Sequence, residues 1–431
     1  MGFLFKIRKF QHNTFLMKSF VDYPQNSDFS IHNIPFGVAV FNKEYIACAT
    51  RIGDIVVDLA TLFDYGYIDD VEGLQENIFE AYTLNEFIEL GKPVTKAVRL
   101  KIQEVLLEGS KLANDEKTIE ECFYNLDEVK MLMPLHIPNY TDFYSSIEHA
   151  TNVGKMFRDP ENALLPNWKH LPVGYHGRAS SIVVSGTDIH RPKGQTKPAD
   201  ATSPVFGPTK QLDFELEMGF VANQNTEMGE SISVSEAEDS IFGMVLFNDW
   251  SARDIQAWEY VPLGPFLAKN FGSSISPWIV TLEALEPFRS VSPRQEPEVL
   301  DYLKFEGDKN FDIKLEVYLQ PENGAENLIC RSNYKYMYWN MSQQLAHHTV
   351  NGCNVEVGDV YASGTISGTT EDSFGSMLEL TWRGQNPLQL SDGSERKFIE
   401  DNDTIIMRGW AEKDGIRVGF GEVEGKILPA R

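Results

Sequence analysis

Within eight residues the chain carries a carboxylate, a phenol and an imidazole: Asp142, Tyr144 and His149. An imidazole titrates near neutral pH and can take a proton from water. A carboxylate and a phenol beside it suit cation or substrate binding. Pro134 and Pro138 stand just upstream and predict that a connection, rather than a helix or central strand, delivers Asp142. Ser145 or Ser146, followed by Glu148, predicts a capped short helix bearing His149. Taken alone, the segment fits a plain capped helix with a surface histidine equally well.

Further chemistry-bearing residues follow downstream. Residues 212–221 alternate apolar and polar as one strand, so Glu215 and Glu217 share a face, with Asp213 behind them. Adjacent like charges are costly unless a cation sits among them; a wet acidic face is the simpler reading. Residues 241–247 are continuously apolar, a buried strand. A helix is predicted from Ser251 to about Tyr260, with Asp249, Arg253, Gln256 and Tyr260 along one face. An exposed Asp–Arg pair would serve as well. Lys269, after a Pro-Gly segment, is a snorkelling surface residue or a cation aimed at a site. Thr365 lies in a Gly/Thr-rich turn, placed for a ligand. Glu379 sits in an apolar run read as a strand, so it must hold a His, Arg or Lys. The pair His347-His348 points in two directions on a helix and is read as structural.

The surrounding elements are legible from periodicity. Residues 34–59 hold three short strands separated by turns, a small barrel or meander. A helical stripe runs through Val98, Ile102, Val105 and Leu106. A domain boundary is expected near 133–138. Residues 191–208 read as a long mobile loop. Strands are expected around 311–319, 404–408 and 417–421, with a helix near 339–349.

Composition narrows the function. The 431 residues carry a net charge of −25 with 42% apolar content, a large core in an acidic protein that would repel nucleic acid. Cys48, Cys122, Cys330 and Cys353 form no CxxC pair, which argues for a reducing compartment. No apolar run is long enough for a membrane span. Residues 1–18 are basic and apolar, either a mitochondrial address or, the favoured reading, a stretch upstream of a start at Met17.

These motifs resemble those of the fumarylacetoacetase family, from about residue 20 to residue 429. The runs Glu161-Asn-Ala-Leu-Leu-Pro-Asn-Trp and Asn248-Asp-Trp-Ser-Ala-Arg-Asp-Ile-Gln favour its eukaryote type. The resemblance implies an α+β, β-rich fold: a small SH3-like barrel domain (19–134) followed by a mixed β-roll catalytic domain (135–431). It implies metal-dependent hydrolysis of a carbon–carbon bond in a diketo acid, giving fumarate and acetoacetate, in tyrosine and phenylalanine catabolism. Asp142, Glu215, Glu217 and Asp249 match the metal ligands, for Ca2+ or Mg2+. A second, magnesium position would involve Asp249, Lys269 and Ser273, where the family usually has Thr. His149 matches the water-activating base and Glu379 its orienting acid. Arg253, Gln256 and Lys269 match the group that stabilises the oxyanion and leaving carbanion. Tyr144, Arg158, Tyr175, Gln256, Tyr260 and Thr365 match substrate contacts. A cytosolic homodimer with a small-molecule substrate is implied. The alternatives are acylpyruvate hydrolysis or β-keto acid decarboxylation on the same scaffold, or a non-catalytic metal-binding protein.

Overall fold

The computed structural model describes residues 17–198 and 200–431; the expectation on residues 1–18 falls almost wholly outside that range. The N-terminal strands form as the alternation predicts. Phe36–Phe41, Tyr45–Ile52 and Ile55–Asp58 make an antiparallel meander, which Phe123–Asn125 and Lys130–Met131 widen to five strands. Asn42 and Lys43 turn the first hairpin with positive φ and Gly53 turns the second, a conformation that Asn and Gly adopt at low cost. The helix Lys92–Val105 carries Pro93 in its first turn and buries Val98, Ile102 and Val105.

The central element is an eight-stranded mixed sheet. Its strand order is Gly174–His176, Tyr140–Phe143, Val360–Ala362, Leu216–Ala222, Ile241–Asp249, Ser273–Ile275 and Ile182–Val184, with Val280–Thr281 paired beside Ile241–Asp249. Alternate residues serve two cores. Met218, Phe220, Met244 and Leu246 face a second sheet built from Ile313–Gln320, Asn327–Asn333, Thr404–Lys413, Ile416–Leu428 and Ile189–His190. Val221, Val245, Phe247 and Tyr140 join the apolar core of the N-terminal strands. The positions that continue this second face, Glu217 and Asp249 beyond Val221 and Phe247, and Asp142 beyond Tyr140, are acidic. One face of the sheet is therefore apolar along its length and acidic at its end.

Six expectations need correction. Asp142 lies on the strand Tyr140–Phe143, paired with Ala362 on one side and Tyr175 on the other. Pro134 and Pro138 both precede that strand, so no proline interrupts its ladder. The strand at 212–221 breaks after Asp213 and resumes at Leu216, because Leu212–Asp213 pairs with Ser251–Ala252 instead. That pairing holds Ser251 extended and delays the helix to Arg253–Glu259. Asp249 thus ends a strand rather than sharing a helix face with Arg253 and Gln256. Glu379 lies on the short helix Met377–Leu380, capped by Ser376, since a serine cap outweighs the strand preference of a short apolar run. Residues 191–208 contain a two-stranded hairpin, Lys193–Thr196 against Val205–Pro208, rather than an unstructured loop. No helix among the described residues is long and apolar enough to cross a membrane.

Candidate active site

Ser146 caps the helix Ile147–Phe157 by accepting from the His149 amide. That cap fixes the first turn and buries the imidazole, which is 3% exposed. His149 Nδ1 meets Glu379 Oε2 at 2.6 Å. Glu379 is itself held from all sides. Asn152 Nδ2 donates to Oε1 at 2.9 Å, Ser367 Oγ lies 3.0 Å from both oxygens, and Ser376 Oγ donates to Oε2 at 2.9 Å. Burial pulls the Glu379 carboxyl up, but His149 and these donors outweigh it and hold it below the usual range. Tyr144 stands edge-on to the His149 ring, centroids 5.2 Å apart.

A second cluster gathers at the acidic end of the sheet. Ligand atoms of Asp142, Glu215, Glu217 and Asp249, all buried, lie within 4.8 Å of one another and could hold a metal ion. Their proton affinities diverge. Burial first, and then neighbouring carboxylates, Asp249 above all for Asp142 and Asp142 above all for Glu217, push these two well above the usual range. Burial also raises Glu215, but Lys269 and Arg253 overcome it and hold this carboxyl low. Lys269 Nζ bonds Glu215 and lies 2.6 Å from Asp249 Oδ2. Asp249 also accepts from Tyr175 OH at 2.9 Å and from Ser273 Oγ at 2.8 Å. Glu217 Oε2 accepts the Gly364 amide at 2.9 Å.

Arg253 flanks the carboxylate cluster. Its Nε donates to Asp213 Oδ2 at 2.7 Å, and its Nη1 lies 2.8 Å from Glu215 Oε1 and 3.3 Å from Gln256 Oε1. Burial opposes its charge, but Asp213 and Glu215 raise its proton affinity further. A cavity of about 550 Å³ opens between these groups. Asp142, Tyr144, His149, Arg158, Tyr175, Glu215, Arg253, Gln256, Tyr260, Lys269 and Thr365 line it. Glu217, Asp249, Ser273 and Glu379 support that lining through the contacts above. Arg158 is anchored by two hydrogen bonds to the Ala163 carbonyl, and Tyr260 is half exposed at the helix end.

Every residue matched to a site role in the sequence lines this cavity or touches a residue that does, Ser273 doing so through Asp249. His347 and His348 lie elsewhere, bonded to Tyr302 and Thr141. Sequence reasoning missed Asn152 and Ser367, and left Asp213 without a task. Asn152 could have been found at i+3 from His149 on one helix face, and Ser367 two residues after Thr365 in the same turn.

The chain matches the Fumarylacetoacetate (FAA) hydrolase C-terminal family over residues 139–427 and the Fumarylacetoacetase N-terminal family over residues 32–134. The chain belongs to the fumarylacetoacetase family. Fumarylacetoacetases of Dictyostelium discoideum, Homo sapiens and Arabidopsis thaliana are 51%, 50% and 49% identical to it, each across 96% of this chain and 99% of the relative. Like them, it is a hydrolase of the fumarylacetoacetase type, acting on carbon–carbon bonds in ketonic substances. A solved fumarylacetoacetate hydrolase from psychrophilic Exiguobacterium antarcticum shares the fold, with a TM-score of 0.51 at 18% identity over 92% of this chain and all of that one.

Proposed function

We propose that the enzyme hydrolyses the carbon–carbon bond of 4-fumarylacetoacetate, releasing fumarate and acetoacetate in tyrosine and phenylalanine catabolism. The observation that carries this reading is the His149–Glu379 pair, which opens onto the same cavity as Arg253, Lys269 and the carboxylate cluster.

The carboxylate cluster fits a hard cation. Asp142 Oδ1 and Glu217 Oε1 are buried without a hydrogen-bond partner, and every ligand atom offered is a carboxylate oxygen. Asp142, Glu215, Glu217 and Asp249 would hold calcium or magnesium, with Lys269 and Ser273 ordering Asp249 beside it. When bound, the ion supplies Lewis-acid polarisation of the β-diketone oxygens and a fixed pose for them.

The side chains account for the remaining chemistry. Glu379 takes the hydrogen bond from His149 Nδ1–H, which leaves Nε2 as the acceptor. Nε2 removes a proton from water, whose oxygen bonds to the ketone carbon next to the alkene. Negative charge moves to the ketone oxygen, where Arg253 and Lys269 supply fixed positive charge. Arg253 Nη2 is buried with no partner, a donor left for that oxygen. The adduct collapses by breaking the carbon–carbon bond. The electron pair leaves on the acetoacetate methylene as an enolate, and the proton held on His149 Nε2 returns to that carbon. Arg158, Tyr144, Tyr260 and Thr365 orient the acidic substrate. Tyr175 bonds Asp249 and shapes the metal side of the cavity.

We read residues 19–134 as an SH3-like barrel domain with helices and 135–431 as the β-roll catalytic domain, in a cytosolic homodimer. Purified protein given fumarylacetoacetate tests the proposal. Turnover lost to EDTA and restored by Mg2+ or Ca2+ is expected; no turnover with either ion would reject it. Comparing kcat/KM with acylpyruvates and β-keto acids separates the related chemistries.

A further inference from the structure

We propose that Asp213 is a positioning residue that locks the charge-stabilising Arg253 and the base-orienting Glu379 into one rigid frame. Asp213 is fully buried and is not among the residues lining the cavity, so it acts through its neighbours. Its Oδ2 accepts from Arg253 Nε at 2.7 Å and from the Leu378 amide at 3.0 Å, while Oδ1 accepts from the Met377 amide at 2.7 Å. The next amide, that of Glu379, goes to Ser376 Oγ at 3.3 Å. One carboxylate thus fixes the start of the turn that presents Glu379 and the guanidinium that faces the cavity.

The backbone makes this frame stiff. Asp213 lies opposite Ser251 in the short ladder immediately before the Arg253 helix. Glu215 bridges Ser376, and the Leu216 amide donates to the Gly375 carbonyl. Strand, helix and turn therefore converge on this side chain. Its type follows from its task, because three N–H groups need acceptors on two oxygens. Asparagine offers one oxygen and an amino group, so Asp213→Asn turns a donor toward Arg253 Nε or toward a backbone amide. A plain stabilising ion pair would lose stability on that change and nothing else. A frame would lose the alignment of His149 with Glu379, although Asp213 touches neither.

This inference rests on the reading of His149 and Glu379 given above, and its test separates the two. The probe is proton NMR of the full-length protein. The His149 Nδ1 proton, held in a 2.6 Å bond to a carboxylate, resonates far downfield, and His149→Ala identifies the signal. In Asp213→Asn the signal should move upfield. At the same time kcat should fall by roughly tenfold to a hundredfold, with KM unchanged to within about twofold. An unmoved resonance with kcat within about twofold of wild type would overturn the frame, whatever happens to the melting temperature. Should Asp213→Asn not fold, Arg253→Lys releases Asp213 Oδ2 from the other end. A moved resonance there supports the frame and an unmoved one overturns it. If His149→Ala itself retained turnover, the base assignment would fail instead, and the resonance would still report on Asp213.

Discussion

Glu379 Oε2 and His149 Nδ1 are 230 positions apart in the chain and meet at 2.6 Å. Asn152, Ser367 and Ser376 occupy the rest of the carboxylate. A carboxylate so surrounded stays ionised and cannot rotate away, which gives the imidazole one tautomer and one direction. The chemistry of the site is organised from this contact outward.

Replacing Glu379 by Gln keeps the shape and removes the charge. Its amide can donate to His149 and so favour the wrong tautomer. The expected result is a fall in kcat of roughly two to four orders of magnitude, with substrate affinity retained. Steady-state kinetics beside equilibrium binding to the variant checks this.

Thr365 is 2% exposed, lines the cavity and has an Oγ1 without a partner. Thr365→Val removes an unsatisfied hydroxyl, so the free enzyme should melt at the same temperature or slightly higher. Substrate binding should weaken, with KM rising and kcat little changed. Opposite signs in the two measurements distinguish a ligand-directed hydroxyl from a structural one.

The carboxylate cluster makes stability depend jointly on pH and cation. Asp142 and Glu217 have proton affinities raised first by burial. A group raised in the fold favours the native state below its unfolded value, about 4 for a carboxyl, and loses that contribution as pH rises through the folded value. In EDTA the melting temperature should therefore rise on going from about pH 8 to about pH 6. A divalent cation substitutes for the missing protons, so its stabilising shift should be larger at about pH 8 than at about pH 6. Calorimetry across that range would show no cation-dependent shift at either pH if the cluster did not bind the ion. Glutamate 379, lowered in the fold, contributes with the other sign: its stabilisation is present above the unfolded carboxyl value and lost as pH falls through the folded one.

Much of this site was legible in the chain, and the reasons for the rest are local. The alternation around Glu215 and Glu217, the serine cap before His149 and the need of buried Glu379 for a cationic partner all follow from side-chain type and spacing. Asp142 was misread because prolines upstream of a strand look, in one dimension, like prolines within it. Glu379 was misread because a four-residue apolar helix and a short strand have the same hydropathy; the Ser376 cap and the long-range acceptance of the Met377 and Leu378 amides by Asp213 select the helix. The hairpin Lys193–Thr196 with Val205–Pro208 was hidden by its Gly, Pro and polar content. Asn152 and Ser367 were missed because their importance depends on Glu379, which folding alone brings to them.

Removing the charge that Arg253 brings should expose the cost of the site. Arg253→Met leaves Asp213 buried without a cationic partner and Glu215 with Lys269 alone, a loss of about 3–5 kcal/mol. Arg253→Lys keeps a charge but loses the fork, so its loss should be smaller. Chemical denaturation of the two variants checks the order, and equal stabilities would show that the guanidinium geometry is immaterial.

The central claim is that His149 activates the water that cleaves fumarylacetoacetate. Turnover of that substrate by His149→Ala, measured beside its equilibrium binding with the cation present, tests this most directly. The account predicts a fall in kcat of roughly two to four orders of magnitude, with binding preserved; a kcat near that of the unaltered enzyme would contradict it.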